Sequence, residues 1–344
     1  MKTSDFDYQL PPELIAQTPI EPRDHSQLMV VRRDGGQIEH RHFYDLPEYL
    51  RPGDLLVFND SRVIPARLYG ARTDTGSQVE LLLLHRLSPG LWKSLVNPGR
   101  RMREGHAFEV KGDDHVIKGE VVDIEEDGAR TVRLEGEEYL DELGIMPLPP
   151  YIHESMEDTE RYQTVYSRVK GSVAAPTAGL HFTPELLDRV KALSIETAFV
   201  TLHVGWDSFR PVKTDEITDH DMHSEYWELS AEAAGLINRA KAEGRRVLSV
   251  GTTAVRLLEQ AAATADAESG NVVEAGSGWA DLFIYPGYRF RVVDALVTNF
   301  HLPRSTLLML TSAFAGRELV LSSYETAAEE RYRFYSFGDA MLIL

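Results

Sequence analysis

Residues 66–134 of the chain read ARLYGARTDTGSQVELLLLHRLSPGLWKSLVNPGRRMREGHAFEVKGDDHVIKGEVVDIEEDGARTVRL, a stretch of short apolar runs separated by turns. Glycine-containing turns such as Thr75-Gly76 and Pro98-Gly99 punctuate it, and no helical run intervenes. Closely spaced strands without helices are typical of a small barrel or sandwich. The predicted strands lie at 66–72, 78–85, 92–96, 107–110, 116–123 and 130–134.

The sequence on either side of this stretch has a different pattern of predicted secondary structure. An apolar run ends at Asn59-Asp60 before it, and a proline-rich link at 146–151 closes it. After the link, helical and strand-like segments alternate, which is typical of an α/β domain with a largely buried sheet. We therefore predict an α/β main domain, formed by residues 1–66 and 148–344, with an inserted all-β barrel domain at 67–147. In the main domain we predict helices at 184–193, 231–243, 254–263, 305–315 and 319–331, and strands at 198–203, 246–250, 281–285, 292–298 and 340–344.

Composition places the chain among globular proteins large enough for two cores, with 344 residues, 43% of them hydrophobic and 26% charged. Cysteine is absent, which excludes disulfides, thiolate catalysis and cysteine-bound zinc or iron–sulfur sites. The first residues contain no apolar core of a signal peptide, and no run approaches the ~18 apolar residues of a membrane span. We expect a cytoplasmic protein without a membrane segment.

The charge distribution limits how the chain could bind nucleic acid. A net charge of −18 argues against a protein that coats nucleic acid through a broad basic surface. Residues 85–105 nevertheless contain five cations and only one carboxylate, Glu104. This block could contact phosphate, or it could be a solvated hairpin face balanced by the acidic stretch 120–142. The candidate phosphate-binding residues in it are Lys93, Arg100, Arg101 and Arg103.

The loop at 171–183 contains small, apolar and hydroxyl residues with one histidine, His181, and no lysine, arginine or carboxylate. Such a loop leaves room for a ligand to touch the backbone at Gly179 and offers a short hydroxyl at Thr177. Thr183 and Pro184 then form a helix N-cap and first-turn signal. The segment is either the wall of a ligand pocket or a tightly packed core turn.

Three further segments, 201–205, 250–256 and 298–306, place polar side chains where a strand ends and a helix or loop begins. Because ligands of open α/β sheets sit at the carboxyl edge of the strands, these segments are candidates for one site. The segment 250–256 suits a polar ligand held by backbone N–H groups and hydroxyls, but it is neither a dinucleotide fingerprint nor a P-loop. The candidate residues are His203 in the first segment, Gly251, Thr252, Thr253 and Arg256 in the second, and Asn299, His301 and Arg304 in the third.

Residues 220–225 supply possible metal ligands in His220, His223 and Glu225. Their spacing matches no zinc signature, so we predict no metal. Neutral imidazoles that transfer protons or position a ligand fit the histidine-bearing strand ends better, since their unperturbed pKa is about 6.5. Any one of these histidines could instead be a hydrogen-bonded core residue.

Together these motifs resemble the S-adenosylmethionine:tRNA ribosyltransferase-isomerase family of queuosine biosynthesis, from Tyr8 to Leu344. The resemblance implies that the ribosyl part of S-adenosylmethionine is transferred and isomerised onto the aminomethyl group of 7-aminomethyl-7-deazaguanine at the tRNA wobble position. It implies epoxyqueuosine-containing tRNA, adenine and methionine as products, S-adenosylmethionine as co-substrate with no tightly bound cofactor, and a monomer. The segments that carry it are 8–17, 53–67, 162–166, 171–183, 250–256, 299–306 and 336–341.

The reaction implied by the resemblance needs a neutral amine, help for departing adenine and a base near the carbon beside the sulfonium. We expect His181, His203 and His301 to surround one pocket, with Asp339 or Glu225 countering the sulfonium charge. The small and polar groups Thr177, Gly179, Gly251, Thr252, Thr253 and Asn299 are expected to position ribose and adenine, and Arg256 or Arg304 to hold the methionine carboxylate.

The tRNA is expected to present a splayed anticodon-loop base together with phosphates. The basic block at 85–105 is the candidate phosphate contact. Candidate stacking residues, each of which could instead belong to the core, are Trp92, Tyr285, Tyr288 and Phe300.

The chain departs from the family pattern at three positions. Asp207 and Ser208 stand where relatives have glycine and threonine, and Gln27 stands where arginine is usual. Aspartate is among the residues that best tolerate positive φ, so these departures bear on local contacts rather than on the reaction.

The sequence is also compatible with two rival functions. An S-adenosylmethionine-dependent RNA methyltransferase is the first, although its glycine-rich loop followed by an acid is not evident after Gly251. A non-catalytic RNA-binding module is the second, and it would leave the histidine-bearing strand ends without a role.

Overall fold

The computed structural model describes residues 1–126, 128–206, 212–266, 268 and 270–344. The chain forms two compact units. The first comprises Met1–Ser61, Pro149–Val169 and Pro176–Leu344, and the second comprises Arg62–Leu148 and Lys170–Ala175. The boundaries predicted at 66/67 and 147/148 stay a prediction of domain organisation. Among the described residues, no helix is long and apolar enough to cross a membrane.

The strands and helices of the described residues are numbered in chain order. The strands are β1 Gln27–Val31, β2 Ile38–His42, β3 Leu55–Asn59, β4 Ser61–Val63, β5 Arg67–Arg72, β6 Gln78–Ser88, β7 Leu91–Asn97, β8 Ala107–Lys111, β9 Val116–Ile124, β10 Arg130–Glu135, β11 Val169–Ser172, β12 Glu196–Leu202, β13 Glu225–Leu229, β14 Val247–Val250, β15 Gly276–Ala280, β16 Ala295–Asn299 and β17 Ala340–Ile343. The helices are α1 Leu140–Leu143, α2 Pro184–Ala192, α3 Ala231–Ala242, α4 Thr252–Thr264, α5 Thr306–Ala315 and α6 Arg317–Glu329.

The second unit contains a closed antiparallel barrel in the order β10-β7-β6-β5-β8-β9. Alternate side chains point inward, as β7 shows with buried residues at every second position. The Phe108 ring fills the interior opposite Gly119, where a Cβ atom would lie 2.1 Å from that ring. Glycine is therefore required at this point of the barrel wall. The inserted all-β barrel and all six of its predicted strands are confirmed, within a few residues at each end.

The first unit is built on a nine-stranded mixed sheet in the order β15-β13-β12-β3-β14-β16-β17-β1-β2. Its four central strands, β12, β3, β14 and β16, are parallel. The sequences of β3, β14 and β16 are buried at every position, as expected when both faces of a parallel sheet are covered. Helices α3 and α4 pack on one face. On the other face lies a core that includes Phe58, Phe182, Leu186 and Val190.

Local capping chemistry explains where several helices begin. Thr183 accepts a hydrogen bond from the Leu186 N–H at 3.1 Å, and Pro184 is the first helical residue of α2. Ser230 caps α3 and Ser305 caps α5 in the same way. These starts are fixed by side chains a few residues away, so the predicted helices match the observed ones closely.

Strand assignments differ from the sequence prediction at both edges of the sheet, and β1 and β2 at one edge were not predicted. The strand predicted at 281–285 is wrong, because no strand forms there and the edge strand is the preceding β15. The aromatic residues that suggested a strand instead pack in a loop, with the Phe283 and Tyr285 rings 5.1 Å apart. Strand β13 was not predicted. The glycine-rich β15 pairs with it, and this pairing is a tertiary contact that propensity does not encode.

Candidate functional site

The predicted site residues collect along one edge of the nine-stranded sheet. The four parallel strands end there with Asn59, Leu202, Val250 and Asn299. The antiparallel neighbours contribute the residues at their amino ends, since Ala340 of β17 pairs with Asn299. Strand β13 likewise begins at this edge, where its register with β15 pairs Glu225 with Ala280. Segments far apart in sequence therefore present polar groups along a single edge, where open α/β sheets bind ligands.

His181 is buried at the end of a 3-10 turn at Thr177–His181 and has hydrogen bonds at both ring nitrogens. Its Nδ1 lies 2.7 Å from the Ser26 hydroxyl, and its Nε2 lies 3.1 Å from the Asn299 amide nitrogen. The same amide nitrogen donates to the Tyr335 carbonyl oxygen at 3.1 Å, which identifies it as the donor. Nε2 of His181 is therefore an acceptor, and its proton sits on Nδ1, which donates to Ser26.

Burial lowers the pKa of His181 to about 3, and the positive charges of Arg333, Arg23 and Arg161 add to the effect. The ring also stacks on Phe43 with the centroids 4.9 Å apart. Hydrogen bonds and ring contacts therefore hold a neutral imidazole in one orientation. In this arrangement His181 organises the turn that carries Thr177 and Gly179.

His301 follows β16 and is held mainly through its backbone. Its N–H donates to the Tyr324 hydroxyl at 3.0 Å, and its carbonyl oxygen accepts from the Tyr8 hydroxyl at 2.5 Å. The ring Nε2 lies 2.7 Å from the Thr298 hydroxyl, and burial lowers the pKa of the ring to about 3. Among the described residues no hydrogen bond reaches Nδ1. When Nε2–H donates to Thr298, the Nδ1 lone pair is left to accept a proton.

His203 follows β12, three strands away from β16 in the sheet order. At about 4.8 Å between neighbouring strands, the ends of β12 and β16 lie about 14 Å apart. Burial lowers the pKa of His203, while the nearby Asp60 carboxylate opposes that shift. Its buried Nδ1 has no hydrogen-bond partner in the part of the chain that the structure describes. The single pocket predicted for His181, His203 and His301 stays a prediction.

Asp339 lies just before β17 and is almost fully buried. Its two carboxyl oxygens accept backbone N–H groups from Gln27 at 2.8 Å and Arg333 at 2.7 Å. Burial raises the pKa of Asp339. The two hydrogen bonds and the positive charge of Arg333 oppose this shift without cancelling it. Gln27 thus meets Asp339 through its main-chain N–H. The role of Asp339 opposite a sulfonium remains a prediction.

Glu225 and Arg256 form a buried ion pair that joins β13 to α4. Burial alone would raise the pKa of Glu225, but the charge of Arg256 and a hydrogen bond from His223 outweigh it and bring the pKa to about 2. The other Glu225 oxygen accepts the Gly205 N–H at 2.9 Å. Arg256 also donates to the Ala280 carbonyl oxygen at 3.1 Å. The two predicted ligand-binding charges therefore neutralise each other and brace the loop after His203.

The small residues of the site have specific packing reasons. A Cβ atom at Gly179 would lie 2.0 Å from the Tyr166 hydroxyl, so only glycine fits there. Gly251 has a φ of +93° where β14 turns into α4, a conformation that favours glycine. Thr252 is buried in the first turn of α4, and the Thr253 hydroxyl accepts from the Asn59 side chain at 3.3 Å. Thr177 is half-buried at the start of its 3-10 turn.

Arg304 is exposed and forms an ion pair with Asp7, which raises the pKa of its guanidinium. Both arginines predicted to hold a methionine carboxylate thus already have a carboxylate partner, Arg256 with Glu225 and Arg304 with Asp7. Binding such a ligand would require the arginine to exchange that partner. Arg304 is the exposed and hence more accessible of the two.

In the barrel unit the four predicted phosphate-binding cations divide into two kinds. Lys93 pairs with Glu125 on the barrel wall. Arg100, Arg101 and Arg103 are exposed in or next to a 3-10 turn at Gly99–Arg101, and their side chains pair with no carboxylate of the described residues. The basic block is therefore reduced to these three arginines. Of the predicted stacking residues, Trp92 and Phe300 are buried in their cores, while Tyr285 and Tyr288 are half-buried.

Several neighbours of the predicted residues carried weak or no signal in the sequence. Asp60 accepts hydrogen bonds from Thr201 at 2.7 Å and Arg168 at 2.6 Å. It follows an apolar run, as the other strand-end residues do, and this is the signal that could have identified it. Ser26 contacts His181 only through the tertiary fold.

Within the described ranges no group of three or more potential ligands could hold a metal ion. Asp207 and Ser208 lie outside the described residues.

Comparison with known proteins identifies the family. The family model described as "Queuosine biosynthesis protein" matches residues 3–343. The chain belongs to the queuosine biosynthesis protein family. The resemblance seen in the sequence is thereby confirmed.

Individual members of the family match this chain along its whole length. A protein of Symbiobacterium thermophilum named S-adenosylmethionine:tRNA ribosyltransferase-isomerase is 57% identical, and one of the same name from Moorella thermoacetica is 55% identical, each over 100% of both chains. The crystal structure of S-adenosylmethionine tRNA ribosyltransferase from Thermotoga maritima is similar at a TM-score of 0.58 and 42% identity. That alignment covers 99% of this chain and 100% of the other. The predicted fold class, an α/β domain with an inserted barrel, is confirmed.

Proposed function

We propose that this chain is an S-adenosylmethionine:tRNA ribosyltransferase-isomerase. It transfers and isomerises the ribosyl part of S-adenosylmethionine onto the aminomethyl group of 7-aminomethyl-7-deazaguanine in tRNA, and releases adenine and methionine. The observation that carries the proposal is the full-length identity of 53–57% to relatives of that name. The row of polar strand ends supports it, because it offers neutral imidazoles and hydroxyls at the edge where such a fold binds ligands.

The free ring nitrogens favour His301 and His203 over His181 as the base. Both nitrogens of His181 are engaged by Ser26 and Asn299, whereas Nδ1 of His301 has no hydrogen bond from a described residue. A pKa of about 3 keeps His301 neutral at pH 7, so its lone pair is present without prior deprotonation. A proton accepted there is held weakly and is readily passed on to the departing adenine, which needs one.

The ligand-holding groups follow from the same geometry. Asn59, Thr252 and Thr253 lie where β3 ends and α4 begins, and the N-terminus of α4 favours electron-rich groups. We assign ribose and adenine to this region together with Gly251 and Asn299. Arg304 is assigned to the methionine carboxylate in preference to Arg256, because its ion pair is exposed and exchanges at lower cost.

The deciding experiment incubates the protein with S-adenosylmethionine and tRNA that carries the 7-aminomethyl-7-deazaguanine precursor. Free adenine and methionine, detected by mass spectrometry, are the expected products. S-adenosylhomocysteine in their place would establish a methyltransferase, and tRNA binding without any small product would establish a non-catalytic RNA-binding module. Either result overturns the proposal.

Three accompanying proposals concern the state of the enzyme. We propose that it works as a monomer in the cytoplasm, with no tightly bound cofactor besides its co-substrate. The relatives' name supports S-adenosylmethionine as that co-substrate. Light scattering of the purified protein, and turnover after exhaustive dialysis against chelator, test the monomer and the cofactor proposals. A stable dimer, or activity restored only by an added cofactor, would contradict them.

A further inference from the structure

A small pocket lies beside His181, whose ring contacts Asn299 at the sheet edge. Its volume is about 20 Å³, which is enough for a water-sized group and far too small for a base or a nucleoside. The whole wall belongs to the first unit. We call it the arginine pocket, and its wall includes Arg23, Arg161, His181, Ser336 and Phe337.

Arg23 brings to this wall a positive charge that no ion pair neutralises. Its guanidinium donates to three backbone carbonyl oxygens, those of Gln163 at 2.9 Å, Leu180 at 3.3 Å and Glu160 at 3.0 Å. Arg23 forms no ion pair with a described residue. These bonds use three of the five N–H groups of a guanidinium. The side chain is therefore fixed in place and still has donors for a ligand.

Arg161 adds a second guanidinium to the same wall. It donates to the Ile20 carbonyl oxygen at 2.8 Å and forms an ion pair with Glu21. The Arg161 side chain is only 14% exposed, whereas that of Glu21 is 66% exposed. The carboxylate therefore lies on the solvent side of the pair, where exchanging it for another oxyanion costs little.

Positive charge accumulates at the inner end of the arginine pocket. The charges of Arg333, Arg23 and Arg161 all add to the effect of burial in lowering the pKa of His181. Burial and the neighbouring charge of Arg161 also lower the pKa of Arg23 to about 10. Three exposed carboxylates oppose the shift at Arg23 without cancelling it, those of Glu21, Asp158 and Glu160. An anion bound in the pocket would relieve this repulsion.

The pocket also has backbone donors. The N–H groups of Ser336 and Phe337 form no hydrogen bond with a described residue. They follow Tyr335, which turns the chain with a φ of +72°. Successive N–H groups at such a turn can form a concave site for an anion. Guanidinium and backbone donors on one small wall are the groups that bind oxyanions in proteins.

We propose that the arginine pocket binds one oxyanion of a substrate. This inference rests on the proposed function and adds a binding group to it. A phosphate of the RNA acceptor and the carboxylate of S-adenosylmethionine present the same chemistry to a guanidinium, namely two oxygens that accept parallel hydrogen bonds. The bound oxyanion replaces Glu21 at Arg161 and lies next to His181, beside the edge that carries the polar strand ends.

The test uses two matched ion pairs. Arg161 and Glu21 form the pair at the pocket. Arg245 and Glu243 form the control pair, with similar side-chain exposures of 19% and 53%, and Arg245 also donates to a backbone carbonyl oxygen. The variants are Arg161→Gln, Arg161→Lys, Glu21→Gln, Arg245→Gln and Glu243→Gln. Each is titrated against S-adenosylmethionine and, separately, against a precursor-bearing tRNA anticodon stem-loop.

We expect Arg161→Gln to weaken the binding of one of the two ligands about tenfold and Arg161→Lys to weaken it less. Glu21→Gln should strengthen the same binding, because the competing carboxylate is gone. Weaker stem-loop binding with a smaller salt dependence would identify the oxyanion as a phosphate. Weaker binding of S-adenosylmethionine would identify it as the carboxylate, in place of the assignment to Arg304. Both control variants should bind both ligands as wild type does.

Unchanged affinity of Arg161→Gln for both ligands would overturn the proposal. Weaker binding by Glu21→Gln, or an equal loss in Arg245→Gln, would do the same, because the pair would then act only on the fold or on the overall charge. Thermal denaturation shows whether each variant is folded. Where Arg161→Gln is unfolded, Glu21→Gln carries the test, since its expected effect is a gain of affinity.

Adenine release by wild type is measured in parallel. An inactive wild type whose ligand binding still depends on Arg161 and Glu21 would refute the proposed function and leave the arginine pocket established. An active wild type whose binding is indifferent to both residues would refute the pocket alone.

Discussion

The amide nitrogen of Asn299 lies 3.1 Å from Nε2 of His181 and the same distance from the Tyr335 carbonyl oxygen. Because a carbonyl can only accept, the amide must donate to both, and the histidine must present a lone pair at Nε2. Its other nitrogen then donates to Ser26. The two strand ends, β16 and the start of β1, are thereby joined through one neutral imidazole. His181 differs in this respect from His203 and His301. Each of those two rings has one nitrogen that forms no hydrogen bond with a described residue.

Replacing the histidines should separate structural from chemical roles. His301→Ala should lower kcat about 100-fold or more, with only a small change in thermal stability, because its fold contacts are mostly backbone. His181→Ala should instead lower the free energy of unfolding by about 1–3 kcal/mol, because the buried Ser26 hydroxyl and Asn299 amide would each lose a hydrogen-bond partner. Single-turnover kinetics and urea denaturation measure the two effects. Near-wild-type turnover of His181→Ala, His203→Ala and His301→Ala alike would refute a shared catalytic pocket.

Acidification should destabilise the protein below about pH 6.5, the ordinary pKa of histidine. His181 and His301 have folded-state pKa values lowered to about 3, so between pH 6.5 and 3 the unfolded chain binds more protons than the folded one. Stability is then lost as pH falls, at up to about 1.4 kcal/mol per pH unit for each histidine. Urea denaturation between pH 5 and 7 measures the slope. His181→Gln and His301→Gln should each reduce it, and an unchanged slope in both would contradict the assignment.

Breaking the buried ion pair should cost more than an exposed one. Glu225→Gln and Arg256→Met should each lower the free energy of unfolding by about 3–5 kcal/mol, and the double variant should lose less than their sum. The exposed pair Arg239 and Glu196 is the control, for which Arg239→Met should cost below about 1 kcal/mol. Chemical denaturation of wild type, the two single variants and the double variant forms the cycle, and Arg239→Met is measured beside it. Additive losses at Glu225 and Arg256 would show that the two do not interact.

Charge reversal on the barrel should affect RNA binding alone. Arg100→Glu combined with Arg101→Glu should weaken tRNA binding and reduce its salt dependence, because both side chains are exposed and unpaired among the described residues. Lys111→Glu on the same barrel is the matched control, since Lys111 is exposed but pairs with Glu109. Filter binding at several salt concentrations measures the effect. Equal tRNA affinity of the double variant and wild type would remove the basic block from the function.

Adding one methyl group at two glycines should have opposite results. Gly179→Ala should destabilise the protein and impair turnover, because its Cβ would lie 2.0 Å from the Tyr166 hydroxyl. Gly235→Ala in helix α3 meets no atom within 4 Å and should stabilise the protein by about 0.5–1 kcal/mol. Thermal denaturation distinguishes the two. A neutral Gly179→Ala would mean that the turn at 177–181 adjusts without loss.

The residues that could be predicted are those governed by near neighbours in the chain. The barrel strands follow from turns and alternation, and the starts of α2, α3 and α5 follow from a hydroxyl cap one residue before the helix. The aromatic run at 281–285 misled the prediction because its rings pack in a loop. The glycine-rich β15 went unnoticed because its partner, β13, is almost fifty residues earlier in the chain.

The sequence by itself determined the fold class, the family and the set of polar strand ends. Hydrophobic periodicity, helix capping and motif order each depend on residues that are close together in the chain. The tertiary structure alone decided which of those polar groups are already engaged. Glu225 meets Arg256, and His181 meets both Ser26 and Asn299, across sequence separations of 31, 155 and 118 residues. Hydrogen bonds and ion pairs depend on distances of about 3 Å, which only the packed sheet edge sets.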